Sequence, residues 1–300
     1  MDKTDIILCQ LLLGNSRLSY RELGEKLDLS VTAVHNRIQT LIELGIIRKF
    51  TASFSFFAQN VIHVLMFGLS KTNSVLEVKS RLENQGSIYW FAAGGGNILY
   101  IGAYLRNIGD LELLVRFVKE KAQIPMVTVG LTGSPIPPLL RNIHFLKIET
   151  KLCDLDYKII RALKDDSRKP TSEVAKEIGV STKTVRRRLN RMERNFLIQY
   201  SIEWYPDASN DIMSIFHVDI KDDANPNVVN AILQEYYPNT LFYWSFSNIP
   251  GSYVFMVWTP TSKEVREVRE TIESNPAIKS VAPNVMYTGY IFTTWRDQIP

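Results

Sequence analysis

A dense cluster of basic residues lies between positions 183 and 194, where six lysine and arginine side chains accompany one glutamate. Cationic side chains neutralise phosphates, and arginine can also donate two hydrogen bonds to the edge of a guanine. On a helix, which turns by about 100° per residue, Val185 would face a core while Lys183 and Arg187 point nearly opposite to it. The pattern favours contact with a nucleic acid, and the alternative is a solvated basic helix face.

The position of each side chain along this helix indicates its role. Residues early in a helix that enters a DNA groove reach base edges, and basic residues at its flanks and end hold phosphates. Arg188 lies nearer the core side, and we expect it to brace a carboxylate. The predicted contacts are Thr182, Lys183, Arg186 and Arg187 in the groove, Ser181 and Thr184 beside them, and Arg191 and Arg194 at phosphates.

The basic helix lies in one of two copies of a repeated segment. Residues 155–201 align with residues 4–50 at a constant offset of 151, without a gap. Aspartate recurs at positions 5 and 156, the pair Ser-Arg recurs at 16–17 and 167–168, and apolar positions match where identities do not. Because chance similarity rarely keeps register over such a length, we infer a duplication.

Each copy has the spacing of a helix-turn-helix. An acidic residue opens the first helix, where it favours the helix dipole, and the second helix is Tyr20–Leu27 or Thr171–Ile178. A three-residue turn follows, in which Gly179 suits the positive φ that such turns often require. Ser30 or Ser181 then caps the third helix, which buries apolar residues at i, i+4 and i+7. A helix, a tight turn and a capped second helix form this motif.

The two copies differ in charge. Residues 155–201 contain 12 basic and 6 acidic residues, whereas residues 4–50 contain 6 and 5. We therefore expect the second copy to dominate DNA affinity and the two copies to recognise different half-sites. The alternative for the first copy is a packing module that has lost DNA binding. Its predicted contacts, on the third helix at 31–44, are Thr32, His35, Asn36 and Arg37.

The segments that follow the repeated motifs share an order of strands and helices. Residues 61–131 and 213–287 each follow the order βαββαβ, which is typical of a ferredoxin-like fold. The predicted fold class is α+β, with two winged or three-helix helix-turn-helix domains and two ferredoxin-like domains as a tandem repeat. The predicted boundaries are helix-turn-helix 1 at 1–54, ferredoxin-like domain 1 at 55–132, a proline-containing linker at 133–151, helix-turn-helix 2 at 152–204 and ferredoxin-like domain 2 at 205–300.

These motifs resemble the Lrp/AsnC, or feast/famine, family of transcriptional regulators. In the second copy the resemblance rests on Asp-Tyr-Lys-Ile-Ile from position 156, Glu-Val-Ala-Lys-Glu-Ile-Gly-Val-Ser from 173 and Val-Arg-Arg-Arg-Leu from 185. In the first copy it rests on Met-Asp-Lys-Thr-Asp from position 1 and Leu-Ile-Glu-Leu-Gly-Ile-Ile from 41. The resemblance covers nearly the whole chain, twice. It implies a sequence-specific regulator that binds double-stranded DNA as a covalent pseudo-dimer.

The resemblance also implies a small-molecule effector, and a homodimer or higher homo-oligomer formed through the sheets of the ferredoxin-like domains. Effectors in the family bind near the loop joining the second and third strands, where a glycine is followed three positions later by an acidic residue. Neither corresponding loop here contains that acidic residue, so the sequence departs from the family pattern. The candidate effector residues are Gly94, Gly95, Gly96 and Asn97 in the first half and Asn248 and Gly251 in the second.

Other classes of protein receive less support from the residues. No P-loop, G-x-S-x-G or H-E-x-x-H pattern occurs, so no enzyme activity, catalytic residue or cofactor is predicted. Sirohaem decarboxylases are similar in fold, but the places of their His-Asn-Tyr-x-Arg stretch hold neither the histidine nor the arginine. His63 and Met66, three apart on a strand, point to opposite faces, which disfavours a metal-sensing site. Aromatic residues in the strands indicate core and interface, or alternatively a hydrophobic ligand pocket in a scaffold that does not bind DNA.

Composition places the chain among ordinary globular proteins. It has 300 residues, 45% of them hydrophobic, and a net charge of +4. Cys9 and Cys153 form no CxxC pair and are expected to be free thiols in a reducing compartment. No stretch approaches the roughly 18 apolar residues of a membrane span. We therefore predict a cytoplasmic protein without a membrane partner.

Overall fold

The structure, a computed structural model, describes residues 1–55, 61–132 and 152–298. The linker predicted at 133–151 lies outside the described residues. The chain divides into two compact units. The helix-turn-helix unit contains residues 2–55, 152–208 and 296–298, and the sheet unit contains Met1 with residues 61–132 and 209–295. Each unit is therefore assembled from both halves of the chain.

The described residues form the following elements. The helices are α1 (Lys3–Gly14), α2 (Tyr20–Leu27), α3 (Val31–Glu43), α4 (Val75–Leu82), α5 (Leu111–Lys121), α6 (Asp154–Leu163), α7 (Thr171–Ile178), α8 (Thr182–Arg194), α9 (Asn227–Glu235) and α10 (Ser262–Ser274). The strands are β1 (Ile47–Phe54), β2 (Ile62–Leu69), β3 (Ile88–Gly94), β4 (Ile98–Leu105), β5 (Thr128–Thr132), β6 (Ile198–Trp204), β7 (Ile212–Ile220), β8 (Thr240–Ser245), β9 (Ser252–Thr259) and β10 (Ile278–Ile291).

Two three-helix motifs, α1–α3 and α6–α8, form most of the helix-turn-helix unit. The turn before the third helix contains a left-handed residue, Asp28 (φ 54°) in the first copy and Gly179 (φ 71°) in the second. The positive φ predicted for Gly179 is thus confirmed. The apolar residues predicted to face the two cores are all buried: Val34, Ile38, Leu41, Val185, Leu189 and Met192.

Strands β1 and β6, which sequence analysis did not predict, join the two motifs. They pair antiparallel with each other, and each packs on the first helix of the other copy: β1 on α6 and β6 on α1. Ala52 and Phe54 of β1 are buried in the core of the second motif, where Phe54 meets the Tyr157 ring edge-on at 5.3 Å. Each copy therefore completes the core of the other.

Polar contacts between repeat-equivalent residues reinforce this junction. The hydroxyl oxygens of Ser16 and Ser167 lie 2.6 Å apart. Arg168 donates from Nε to the Ser16 carbonyl at 2.8 Å and from Nη2 to the Leu18 carbonyl at 3.0 Å. Arg17 donates in the reverse direction to the Ser167 carbonyl. Because equivalent residues contact each other, these contacts lie on a pseudo-twofold axis between the two motifs.

The sheet unit contains one eight-stranded antiparallel sheet in the order β5-β2-β4-β3-β10-β7-β9-β8. Each half contributes four neighbouring strands in the order fourth, first, third, second of its βαββαβ segment. Helices α4 and α5 pack on the first half, and α9 and α10 on the second. This arrangement confirms the predicted ferredoxin-like α+β fold class.

The two halves of the sheet pair with each other within the chain. Strands β3 and β10 form an antiparallel ladder, with a shift of register between Met286 and Thr288. The outer strands meet through a bridge between Thr132 and Phe246 and a hydrogen bond of 2.8 Å from the Ser247 N–H to the Leu131 carbonyl. The strand edges where the two halves meet thus have partners inside the chain. Association between chains through these sheets, which the family resemblance implies, stays a prediction.

Aromatic residues from both halves lie on the sheet face opposite the helices. Tyr100 alternates in β4 with Leu99 and Ile101 of the helix-side core, and its hydroxyl lies 2.9 Å from Nε2 of His217 in β7. The Phe67 ring lies 4.9 Å from that imidazole. Burial lowers the pKa of His217 from its ordinary value of 6.5, while the nearby Asp219 opposes that shift.

We predict that the stability of the protein falls as the pH is lowered below about 6.5. The unfolded state takes up a proton on His217 there, whereas burial resists protonation in the folded state, so each pH unit costs at most about 1.4 kcal/mol from this group. Denaturant unfolding at a series of pH values measures the effect. His217→Gln, which cannot titrate, should remove this part of the pH dependence, and an unchanged profile in that variant would contradict the assignment.

We predict that Phe54→Ala destabilises the second helix-turn-helix although it changes a residue of the first. The substitution leaves a cavity in the core around α6–α8, at a cost of about 3–5 kcal/mol. Hydrogen exchange should show lost amide protection in α6 and α8. Lys263→Ala, on the exposed face of α10, is the control and should leave protection in both motifs unchanged.

Candidate nucleic-acid interface

Helix α8 presents four of its six cations to solvent. Ser181 caps the helix, its Oγ accepting from the backbone N–H of Thr184 at 3.2 Å and lying 2.9 Å from the Thr184 hydroxyl. The hydroxyls of both residues therefore serve the cap, and Thr182 beside them is half-buried. Because Val185 is buried, the side chains nearly opposite to it point outward. The exposed cations of α8 are Lys183, Arg186, Arg187 and Arg194.

Two arginines of α8 turn inward to a buried carboxylate. Asp156 has a fully buried side chain, and Arg191 donates to its Oδ2 at 3.1 Å while Arg188 lies 3.7 Å from the same oxygen. The expectation that Arg188 braces a carboxylate is confirmed. Arg191 lies three residues from Arg188 on the same helix face and pairs with Asp156. Its predicted contact with a DNA phosphate stays a prediction.

The first copy repeats this arrangement with Arg37, the equivalent of Arg188. Arg37 Nη1 donates to Asp5 at 2.7 Å and to Asp2 at 2.9 Å. The hydrogen bond to Asp5 raises the pKa of Arg37 above its ordinary value. The Arg37 guanidinium is therefore paired with carboxylates at the start of α1, and its predicted contact with DNA stays a prediction.

The exposed face of α3 carries uncharged hydrogen-bonding groups. Thr32, His35 and Asn36 are exposed, as are Gln39 and Thr40 beyond them. The His35 ring meets Tyr20 edge-on at 5.4 Å, which fixes its position over α2. Amide side chains can pair with adenine, and threonine can contact a thymine methyl group. The face is therefore suited to base recognition rather than to charge neutralisation.

The loops predicted to contact an effector make contacts within the sheet unit. Asn97 donates from Nδ2 to the carbonyls of Ser70 at 2.9 Å and Thr72 at 2.8 Å. Asn284 of β10 donates to the Gly95 carbonyl at 2.9 Å, and its side chain occupies the space that any side chain at Gly94 would need. Gly96 adopts φ 64°, which favours glycine at this turn.

The equivalent loop of the second half is also engaged. Asn248 accepts from the Leu131 N–H at 2.7 Å and donates to the Val129 carbonyl at 2.8 Å, so its amide pairs with β5 as a neighbouring strand would. Gly251 adopts φ 81° and accepts from the Ile220 N–H at 2.9 Å. The polar atoms of both asparagines thus hold the sheet together.

Sequence analysis missed the acidic partners of the arginines, although a signal was present. Asp5 recurs as Asp156 and Arg37 recurs as Arg188, at the same offset. An acid and a base that both recur in a duplication indicate an ion pair within each copy. The exposed amides Gln39 and Asn190, which are also repeat equivalents, were not singled out.

Comparison with known proteins assigns the chain to a family. The family model of the AsnC-type helix-turn-helix domain matches residues 153–193. The family model of a winged helix-turn-helix DNA-binding domain matches residues 1–48. The HTH-type transcriptional regulator Ptr1 of Methanocaldococcus jannaschii is 32% identical over 143 residues, covering 47% of this chain and 93% of that protein. The chain belongs to the Lrp/AsnC family of transcriptional regulators. An uncharacterized HTH-type transcriptional regulator of Pyrococcus abyssi is also 32% identical, over 40% of this chain and 81% of its own length.

A solved structure shares the duplicated architecture of this Lrp/AsnC protein. The siroheme decarboxylase NirDL superposes with a TM-score of 0.61 over 98% of this chain and 94% of that one, at 12% sequence identity. At this low identity the superposition shows a common fold and nothing about function. The chain is therefore a family member that contains both copies of the repeat in one polypeptide, as predicted.

A membrane span and a metal site are two further features that the described residues could contain. None of the helices in this part of the chain is long and apolar enough to cross a membrane. Within the same residues, no group of three His, Cys, Asp or Glu side chains is placed to hold a metal ion.

We predict that Arg37→Ala lowers stability more than DNA affinity. The change removes two charge-assisted hydrogen bonds at a half-exposed site, which should cost about 1 kcal/mol of unfolding free energy. Thermal unfolding and a DNA-binding titration measure the two effects. Arg187→Ala is the matched variant and should lower DNA affinity more than stability. A larger loss of affinity for Arg37→Ala than for Arg187→Ala would contradict the prediction and support a DNA contact of Arg37.

Proposed function

We propose that α8 is the dominant DNA contact of this DNA-binding transcriptional regulator. The observation that carries the proposal is the exposure of Lys183, Arg186 and Arg187 in the first half of a capped helix-turn-helix recognition helix. The early residues of such a helix reach base edges in the major groove. The proposed groove contacts are Thr182, Lys183, Arg186 and Arg187, with Arg194 at a phosphate and the Ser181–Thr184 cap at the DNA-facing end.

We propose that α3 is a second, weaker contact through Thr32, His35 and Asn36. These side chains are exposed at the positions equivalent to Lys183, Arg186 and Arg187. Neutral contacts displace no counterions, so they add little affinity but can discriminate between bases. The contrasting hypothesis of a packing module predicts that substitutions on this face leave DNA binding unchanged.

An effector and an association of copies are further proposals that family membership supports. Asn97 and Asn248 are not proposed as effector contacts, because their amides are hydrogen-bonded within the chain. The paired sheet edges are not proposed as an interchain contact for the same reason. Exposed apolar side chains of the sheet unit offer another surface for association, namely Leu76 at 67%, Leu113 at 65% and Met126 at 85% exposure. Sedimentation of the free protein tests association, and a thermal-shift screen of amino acids tests the effector.

We propose regulation rather than catalysis, although NirDL is an enzyme of similar fold. The second strands of the two sheet halves read Ile-Tyr-Trp-Phe-Ala-Ala and Leu-Phe-Tyr-Trp-Ser-Phe, without a histidine or arginine. Regulator relatives at 32% identity support the same choice. Conversion of sirohaem on incubation with the protein would overturn it, as would the absence of any salt-sensitive DNA binding.

We predict that Arg187→Ala weakens binding to a specific DNA site by about 1–3 kcal/mol, because an arginine contact to guanine is lost. Asn36→Ala, at the equivalent position of α3, should weaken binding by less. Fluorescence anisotropy at fixed salt compares the two variants. Equal losses would show that the two helices contribute alike.

A further inference from the structure

The exposed faces of α3 and α8 differ in charge at each position where α8 has an exposed cation. Lys183, Arg186 and Arg187 correspond to threonine, histidine and asparagine in α3. Arg194 corresponds to Glu43, which is also exposed. The one arginine in the first turns of α3, Arg37, is neutralised by Asp2 and Asp5. Of the two recognition helices, α8 therefore has almost all of the capacity to neutralise phosphates.

The same substitutions change which base each helix favours. Arginine and lysine donate to the O6 and N7 acceptors of guanine, whereas an amide side chain pairs with the N6 donor and N7 acceptor of adenine. Arg187 therefore suits guanine, and Asn36 at the equivalent position suits adenine. Thr32, in place of Lys183, adds apolar contact to a neighbouring thymine methyl group.

The two recognition helices cannot bind DNA independently of each other, because both belong to one compact unit. The β1–β6 ladder, the Ser16–Ser167 contact and the Arg168 hydrogen bonds fix the two motifs about their pseudo-twofold axis. Arg168 is held further between the rings of Tyr20 and Phe50, at 5.0 and 4.6 Å. A single chain thus presents both recognition helices in a fixed order.

We propose that one chain recognises a DNA site of two unlike halves, a guanine-containing half under α8 and an adenine-containing half under α3. This inference rests on the proposed function and specifies its ligand. The α8 half supplies most of the affinity and most of the salt dependence. The site therefore has a direction, and the protein binds it in one orientation only.

Selection of bound duplexes from a random pool by the full-length protein tests the inference without any substitution. The expected result is one site whose halves differ, with guanine fixed in one and adenine in the other. A palindrome with equal halves, or a single half-site, would overturn the inference while leaving DNA binding intact. Failure to enrich any sequence, together with absence of salt-sensitive binding, would instead refute the proposed function.

Two exchange variants assign each half to its helix. Arg187→Asn should change the preferred base from guanine to adenine at one position of the α8 half and weaken the original site by roughly tenfold or more. Asn36→Arg should change adenine to guanine at one position of the other half and increase the slope of log affinity against log salt by about 1. Both residues are exposed, and thermal unfolding of each variant checks that the fold is kept.

The pattern of changes decides the outcome. A shift of base preference in one half for each variant, with the other half unaffected, supports the assignment of halves to helices. A loss of affinity without any change in base preference would show that these side chains contact only the DNA backbone, and would overturn the assignment. Lys263→Ala, in the sheet unit, is the control and should select the site of the unchanged protein.

Discussion

The antiparallel pairing of β1 with β6 is the constraint on which the helix-turn-helix unit depends. Among the described residues these two strands form a two-stranded sheet of their own, so the backbone ladder of each is supplied by the other copy. The pairing also places Phe54 of the first copy in the core of the second. Two motifs that lie 151 residues apart in the chain thereby become one cooperative body, and neither core is complete without the other half.

Duplication within one chain removes a restriction that applies to a homodimer. In a homodimer every substitution appears twice, so both recognition helices must remain alike. Here the groups on the pseudo-twofold axis, Ser16 and Ser167 with Arg17 and Arg168, remain the same in both copies. The exposed faces of α3 and α8, which do not contribute to that axis, have diverged in charge. This divergence in charge thus lies at exposed positions that take no part in the junction between the motifs.

The two halves of the sheet unit are also joined to each other, but through different kinds of contact. Its two halves are joined by an antiparallel ladder at β3–β10 and by a bridge and side-chain hydrogen bonds at β5–β8. The loops between the second and third strands, where the family resemblance implies an effector, contribute their asparagines to this joining. A loop whose polar groups bind its own chain has fewer groups left for a ligand, and these loops also lack the acidic residue of the family pattern.

The amino-acid sequence by itself determined the duplication, the helix-turn-helix motifs, the ferredoxin-like order of strands and the surplus of charge on α8. These follow from periodicity, capping residues and composition, which are local properties that a chain carries at any distance from its partners. It also predicted that Arg188 braces a carboxylate, because the helical angle alone turns that residue inward. Only the tertiary structure decided that Arg191 and Arg37 are neutralised, that β1 and β6 pair, and that the sheets close within the chain. Each of these is a contact between residues far apart in sequence, and whether a charged side chain faces solvent or a buried carboxylate depends on the packing of elements that no local pattern records.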